Sequence, residues 1–135
     1  MVLKDNYILL LWHFIFKKIY ELHKSFIFVF EVNAKLWLEI NSKCVIGKGR
    51  AELLNKIKEL GSLSEVAKSM GMAYSHAWSE IKEIEDAVGG SVIISSRGGK
   101  DGGSSCLTDL GEDILKKYDE EKKKLDQHLV KRNKS

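Results

Sequence analysis

Apolar residues recur at helical spacing in two consecutive stretches between residues 62 and 88. In the first stretch, the i, i+3, i+4, i+7 positions are apolar and predict a short amphipathic helix: Leu63, Val66, Ala67 and Met70. The second stretch has a longer stripe that is predicted to be buried: Tyr74, Ala77, Trp78, Ile81, Ile84 and Val88. The remaining positions are predicted to face outward: Ser75, His76, Ser79, Lys82 and Glu83. Two short helices in succession are typical of a helix-turn-helix.

Local signals mark where these helices begin and end. Ser62 and Glu65 have the spacing of a capping box, which satisfies backbone N–H groups at a helix start. Gly71 suits the left-handed residue that ends a helix. In a helix-turn-helix the second helix enters a DNA major groove, and its early outward residues reach base edges. Because similar helix pairs occur in domains that bind no DNA, the flanking elements must decide between these interpretations.

The elements before the helix pair are a predicted β-hairpin and a helix. Between residues 31 and 47, Leu36, Leu38 and Ile40 share one side of a strand, and a turn at 41–43 leads to a return strand. Trp37 points the other way, toward the N-terminal helix or a second subunit. The helix over 49–60 has a predicted inner face of four leucines and isoleucines: Leu53, Leu54, Ile57 and Leu60.

A second hairpin and a long helix follow. Strands near 92–94 and 105–107 enclose a glycine-rich tip, where Arg97 and Lys100 supply charge that can meet phosphates. This loop lacks the order of a nucleotide-binding loop, and a merely solvated hairpin is the competing interpretation. Thr108 is the predicted cap of the last helix. Its apolar stripe suits a partner helix in a dimer or the chain's own core: Leu110, Ile114, Tyr118, Leu125 and Leu129.

Residues 1–30 are unusually apolar. No uninterrupted apolar run reaches the roughly 20 residues that a membrane-spanning helix needs, because Lys17 and Lys18 intervene. Three interpretations compete: a packing or dimerisation helix, a helix at a membrane surface, and a segment upstream of the true domain. We favour a packing or dimerisation helix, since exposed apolar side chains promote association, and we expect no membrane partner.

Composition narrows the function. The chain has 135 residues, a net charge of +3 and a sequence pI near 8.8, which is compatible with nucleic acid. Cys44 and Cys106 form no close pair, so we expect reduced thiols and a cytoplasmic protein. The histidines are dispersed, and no nucleophile–base pair or carboxylate dyad has supporting context. We therefore expect no enzymatic activity, no metal site and no cofactor.

The order hairpin, helix, helix-turn-helix, wing and long helix resembles the N-terminal winged-helix domain of ModE-type, molybdate-responsive transcription regulators. The resemblance covers residues 35–118, and its motifs are Gly-Ser-Leu-Ser at 61–64, Ala77-Trp78, the Gly-Gly-Lys wing and Leu-Thr-x-x-Gly at 107–111. LysR-type regulators share a looser form of the pattern. The family has separate domains for molybdate that are missing here, so we do not carry molybdate sensing over to this chain.

The resemblance implies a dimer that binds operator DNA, paired in part through its hairpin and last helix. By motif position, five residues line the recognition helix: Tyr74, Ser75, His76, Ser79 and Lys82. Arg97 and Lys100 serve the wing, while Ser62 and Ser64 lie near phosphates. Burial at the helix start is an equally supported interpretation of Tyr74. One departure is Ala73, which stands where the family often has a capping Ser.

We therefore predict an α+β, mostly helical fold: a winged helix-turn-helix with an N-terminal β-hairpin and a long C-terminal helix. The predicted divisions are an apolar segment (1–30), a winged-helix DNA-binding domain (31–118) and a helical extension (119–135). The predicted function is sequence-specific binding of double-stranded DNA by a homodimeric transcription regulator, with a recognition helix near 74–87 and a wing near 92–107. The alternative is a protein–protein interaction module on the same scaffold.

Overall fold

The computed structural model describes residues 2–25, 30–97 and 103–134, with side chains from residue 7 to 23 in the first of these ranges. The chain divides into two compact units, Met1–Val32 and Asn33–Ser135. The first unit contains a single described helix, α1 (Val2–Ser25). Among the described residues, no helix combines the length and the apolar character needed to cross a bilayer.

The second unit has the predicted order of elements. In sequence they are β1 (Trp37–Ile40), β2 (Lys43–Gly47), α2 (Lys48–Leu60), α3 (Leu63–Ser69), α4 (Tyr74–Val88), β3 (Ile93–Ser96), β4 (Ser104–Leu107) and α5 (Asp109–Asn133). Strands β1 and β2 pair antiparallel, as do β3 and β4. The predicted fold class, a winged helix-turn-helix with an N-terminal hairpin and a long last helix, is therefore confirmed. The predicted division between residues 118 and 119 falls inside α5.

One hydrophobic core joins these elements. Its fully buried side chains come from β2, from all three helices of the helix-turn-helix region, and from the segment before β3: Ile46, Leu53, Leu54, Ile57, Val66, Ile81, Ile84 and Val92. Leu115 and Tyr118 of α5 close the core on another side. Leu60 was predicted on the inner face of α2 but is 46% exposed, because the helix ends there and Gly61 turns the chain away.

The first hairpin turns tightly and is irregular. Asn41 and Ser42 have positive φ angles of 50° and 64°, which is the backbone of a type I′ two-residue turn. The pairing register shifts between Leu38 and Glu39, so that strict alternation is interrupted. As a result Ile40, predicted on the inner side with Leu38, is 43% exposed.

Helix ends follow the local signals in the sequence. The Ser62 hydroxyl accepts a hydrogen bond from the Glu65 backbone N–H at 3.4 Å, which caps α3. Gly71 has the expected positive φ, 64°. Thr108 caps α5 by accepting from the Gly111 N–H at 3.1 Å, and its hydroxyl also donates to the Ser91 carbonyl at 2.7 Å. The second of these bonds ties the start of α5 to the end of the α4–β3 connection.

The buried side of α5 differs from the predicted stripe. Gly111, Leu115 and Tyr118 are buried, whereas Leu110 is 36% exposed. The start of α5 runs so close to the chain before β3 that a Cβ built on Gly111 would lie 2.3 Å from the Val92 carbonyl oxygen. This close approach rotates α5 so that Gly111 and Leu115 face the core in place of Leu110.

Candidate nucleic-acid interface

An open groove of about 840 Å³ lies where the helix-turn-helix meets the wing. Its walls come from the start of α3, the start of α4 and both strands of the wing. The lining residues are Ser62, Leu63, Ser64, Tyr74, Trp78, Ser95, Ser96, Arg97, Gly103, Ser104 and Ser105. Segments more than 30 residues apart in sequence therefore present hydroxyl groups, two aromatic rings and a guanidinium to one opening.

Four of the predicted site residues line this groove: Ser62, Ser64, Tyr74 and Arg97. Ser62 is partly committed, because its hydroxyl oxygen caps α3. Ser64 and Arg97 are exposed, and Tyr74 is 54% exposed. Tyr74 was placed in the predicted buried stripe, and burial was the alternative to a DNA contact. Both of these predictions of burial are wrong.

The other predicted residues of α4 lie outside the groove lining. Ser75, His76 and Ser79 are exposed on the helix surface. The imidazole of His76 borders a separate cavity of about 390 Å³, and its Nε2 lies 3.9 Å from Glu80 Oε1. Lys100, the second predicted wing residue, lies outside the described residues, as does the glycine-rich tip around it.

Trp78 was predicted to be a core residue, and this prediction is wrong. Its side chain is 37% exposed and lines the groove. The fully buried residues of the helix are Ala77, Ile81 and Ile84, which are spaced i, i+4 and i+7, and Ala87 and Val88 pack partly buried against the core at its end. This buried stripe is narrower than the apolar stripe in the sequence, so the aromatic rings at its edge face the wing.

The ammonium group of Lys82 is held by neighbouring side chains, although its outward position predicted a free cation. Its Nζ lies 2.6 Å from Glu85 Oε2 and 4.8 Å from the centroid of the Trp78 ring. Glu85 is itself held, because its other oxygen accepts from the Val92 backbone N–H at 3.0 Å. Lys82, Trp78 and Glu85 therefore link the exposed side of α4 to the base of the wing.

Arg50 at the start of α2 was missed by the sequence analysis. Its side chain is only 13% exposed and donates from Nε to Glu80 Oε2 at 2.7 Å and from Nη2 to Glu83. Nη1 donates to the Cys44 carbonyl at 2.7 Å. Burial lowers the pKa of Arg50, but the hydrogen bond and charge of Glu80 outweigh it and the pKa lies above its ordinary value. No local motif signals this residue, because its partners on α4 lie 30 residues away.

Charge is distributed unevenly along α4. Residues 74–79 carry no formal charge, whereas residues 80–86 carry four carboxylates and one lysine: Glu80, Glu83, Glu85, Asp86 and Lys82. A phosphate backbone is repelled by the second half of the helix and not by the first half. The wing adds uncharged hydroxyls, since Ser95 pairs with Ser105 at 3.1 Å and Ser96 with Ser104 at 2.5 Å. The start of α4 and the wing together are thus the part of this face most compatible with a polyanion.

The fold and this face define the class: a winged helix-turn-helix protein whose groove joins the start of α4 to the wing. Comparison with known proteins supplies the relatives. The chain is 33% identical over 84 residues to the DNA-binding transcriptional dual regulator ModE of Escherichia coli K12, covering 62% of this chain and 32% of the relative. It is 33% identical over 73 residues to the molybdenum-pterin-binding protein MopB of Rhodobacter capsulatus, covering 54% of this chain and 27% of the relative.

A third relative, the molybdenum transport protein ModE of Azotobacter vinelandii, is 28% identical over 85 residues, covering 63% of this chain and 32% of the relative. The resemblance to ModE-type regulators is therefore confirmed. The chain spans about a third of the length of the relatives it matches. No family model matches it.

Two solved structures are similar. ArgP from Mycobacterium tuberculosis has a TM-score of 0.46 and 20% identity, covering 61% of this chain and 29% of ArgP. A variant of ZitR from Lactococcus lactis has a TM-score of 0.47 and 16% identity, covering 87% of this chain and 84% of ZitR. The order of elements in this chain is itself that of a winged helix-turn-helix.

Proposed function

We propose that this chain binds double-stranded DNA as a sequence-specific, cytoplasmic transcription regulator and acts as a homodimer. In this proposal the first two turns of α4 enter the major groove, and the wing lies against the neighbouring backbone. The observation that carries it is the single groove shared by the starts of α3 and α4 and by both wing strands. Relatives named as transcriptional regulators support the same function.

Eight of the nine predicted site residues, all except Tyr74, have a role in this arrangement. Ser75, His76 and Ser79 are exposed in the uncharged half of α4, where hydroxyl and imidazole groups can hydrogen-bond to base edges. Arg97 contacts phosphate from the wing, and we propose the same for Lys100. Ser62 and Ser64 approach phosphate at the start of α3. Lys82 contributes less than a free lysine would, because Glu85 already neutralises its charge.

Pairing of two copies is proposed at the hairpin and α5. A cavity of about 710 Å³ opens between them, and the exposed apolar side chains of Trp37 and Ile40 border it at 54% and 43% exposure. Ile114 of α5 lies in the same lining. Sedimentation of the unsubstituted chain and of the Ile40→Asp variant tests this pairing. The variant should contain more monomer than the unsubstituted chain. If both sediment with the same mass, this face is not the interface.

DNA binding is tested by fluorescence anisotropy with a labelled mixed-sequence duplex over a KCl series. We expect affinity to fall steeply with salt, since cations that contact phosphates release counterions. Arg97→Ala should weaken binding and lower the salt slope by roughly 1, as expected for the loss of one phosphate contact. Arg132→Ala is the matched control, because Arg132 is also exposed but lies at the far end of α5.

Lys82→Ala should weaken binding less than Arg97→Ala, since Lys82 is paired with Glu85. Neither change should unfold the domain, because both side chains are at the surface. Equal affinity of Arg97→Ala and the unsubstituted chain would show that the wrong face was chosen. No binding at low salt would favour the alternative, a protein–protein interaction module, for which the apolar hairpin–α5 cavity is the available surface.

A further inference from the structure

Helix α1 exposes an unusual amount of apolar surface. Every described large apolar side chain on it is solvent-exposed, from 46% at Ile15 to 68% at Tyr20. The set is Tyr7, Ile8, Leu9, Leu10, Leu11, Trp12, Phe14, Ile15, Phe16, Ile19, Tyr20 and Leu22. Contiguous apolar surface of this kind marks an interaction site.

The distribution of these side chains around α1 argues against a partner on one side only. Between residues 7 and 16 the one polar residue is His13. At about 100° per residue, the other nine positions point in almost every direction around the helix axis. A helix that is apolar all round requires surroundings that are apolar all round, whereas one partner helix covers a single stripe. Helix α4 shows the contrast, because its fully buried residues, Ala77, Ile81 and Ile84, lie along one stripe.

The length of this apolar stretch limits how deep it can reach. Ten helical residues span about 15 Å, roughly half of the ~30 Å hydrocarbon core of a bilayer. Lys4 and Asp5 precede the stretch, and Lys17 and Lys18 follow it. Charged residues on both sides suit a helix that lies along one leaflet, with both of its ends at the headgroups.

The polar and aromatic residues of α1 match a lipid surface of negative charge. Lys18 lies with its Nζ 6.0 Å from the centroid of the Phe14 ring, so its stem follows the apolar surface while its charge stays at the edge. Trp12 and Tyr20 are residue types that accumulate at membrane interfaces. Adjacent Lys17 and Lys18 attract anionic headgroups.

We propose that α1 inserts its 7–16 stretch into one leaflet of an anionic lipid bilayer and so attaches the chain to a membrane surface. This replaces our sequence-based preference for a packing helix and no membrane partner. It goes beyond the proposed DNA binding, since α1 belongs to the first compact unit and the groove belongs to the second.

Flotation of the full chain with vesicles of phosphatidylcholine and phosphatidylglycerol tests this proposal. The chain should rise with the vesicles in a density gradient. Leu11→Asp/Ile15→Asp should lower the vesicle-bound fraction at least about tenfold, because two apolar side chains of the inserted stretch become charged. The matched control is Ile94→Asp/Val130→Asp, which changes two exposed apolar residues of the second unit and should float like the unsubstituted chain.

Circular dichroism and thermal unfolding should show that both double variants keep the fold, since all four side chains are exposed. Failure of the unsubstituted chain to float would overturn the proposal. Loss of flotation in the control as well as in the α1 variant would also overturn it. A lipid-free oligomer that does not float, and that Leu11→Asp/Ile15→Asp disperses, would show that other copies of the chain cover α1.

Discussion

Arg50 provides the sharpest test of how this domain holds α4 in place. Its guanidinium links α2, which carries it, to two other elements. It donates to Glu80 and Glu83 on α4 and to the Cys44 carbonyl in β2. Replacing it with alanine removes all of these bonds together. The carboxylate of Glu80, which is 27% exposed, would then be left partly buried without its cation.

The expected loss can be worked out from burial. Breaking a fully buried ion pair costs about 3–5 kcal/mol, and an exposed pair contributes at most about 1 kcal/mol. The Arg50–Glu80 pair lies between these limits at 13% and 27% exposure, whereas Glu83 is 60% exposed and contributes little. We therefore expect Arg50→Ala to lower the free energy of unfolding by about 2–4 kcal/mol.

Urea unfolding followed by circular dichroism measures this loss. Arg50→Lys should recover only part of it, because an ammonium cannot bond to two carboxylates and a carbonyl in fixed directions. The double variant Arg50→Ala/Glu80→Gln should be less destabilised than the sum of its single changes, with a coupling of about 1–2 kcal/mol. Lys58→Ala is the control: it removes the Lys58–Glu112 bridge, which is about half exposed on both sides, and should cost under about 1 kcal/mol.

If Arg50→Ala were no more destabilising than Lys58→Ala, the guanidinium would not be what joins α2, α4 and the hairpin. If Arg50→Lys were equal to the unsubstituted chain, the bond geometry would be irrelevant and only the charge would matter. Either result would refute the reasoning, because the estimate depends on both burial and directed hydrogen bonds.

Two further predictions concern single positions. Ala73→Ser should stabilise the domain by about 1 kcal/mol, because Ala73 has the extended backbone of an N-cap but gives α4 no side-chain hydrogen bond; a lower unfolding midpoint would contradict this. Gly111→Ala should destabilise by about 1–3 kcal/mol, since its Cβ would meet the Val92 carbonyl oxygen. Gly49→Ala, with nothing near its Cβ, should be neutral or stabilising in the same thermal unfolding assay, and similar effects at both glycines would refute the close approach.

Element type and element ends were predictable because their causes are local. The spacing of Val66, Ala67 and Met70, the cap at Ser62 and the glycine at Gly71 act within one or two helical turns. The cap of α5 by Thr108 is also local, since its acceptor bond reaches only to Gly111. Such signals do not depend on what the rest of the chain does, so they can be recognised in the sequence.

The exposure of aromatic residues on α4 was not predictable in the same way. Helical spacing shows that Tyr74 and Trp78 share a side with Ala77 and Ile81, but not how wide the buried part of that side is. Its width depends on the elements packed against it, and here the wing lies beside α4 with a groove between them. Both rings therefore face the opening rather than the core.

The sequence by itself determined the order of helices and hairpins, their ends and the resemblance to ModE-type regulators, because these depend on short-range spacing and on motifs. Only the tertiary structure decided that Ser64, Tyr74 and Arg97 line one groove and that Arg50 joins α2 to α4. It also decided that Lys82 is paired with Glu85. The physical reason is distance along the chain, because the groove and the contacts of Arg50 with α4 join residues about 30 positions apart. Packing of the helices decides which side of each helix faces these distant residues.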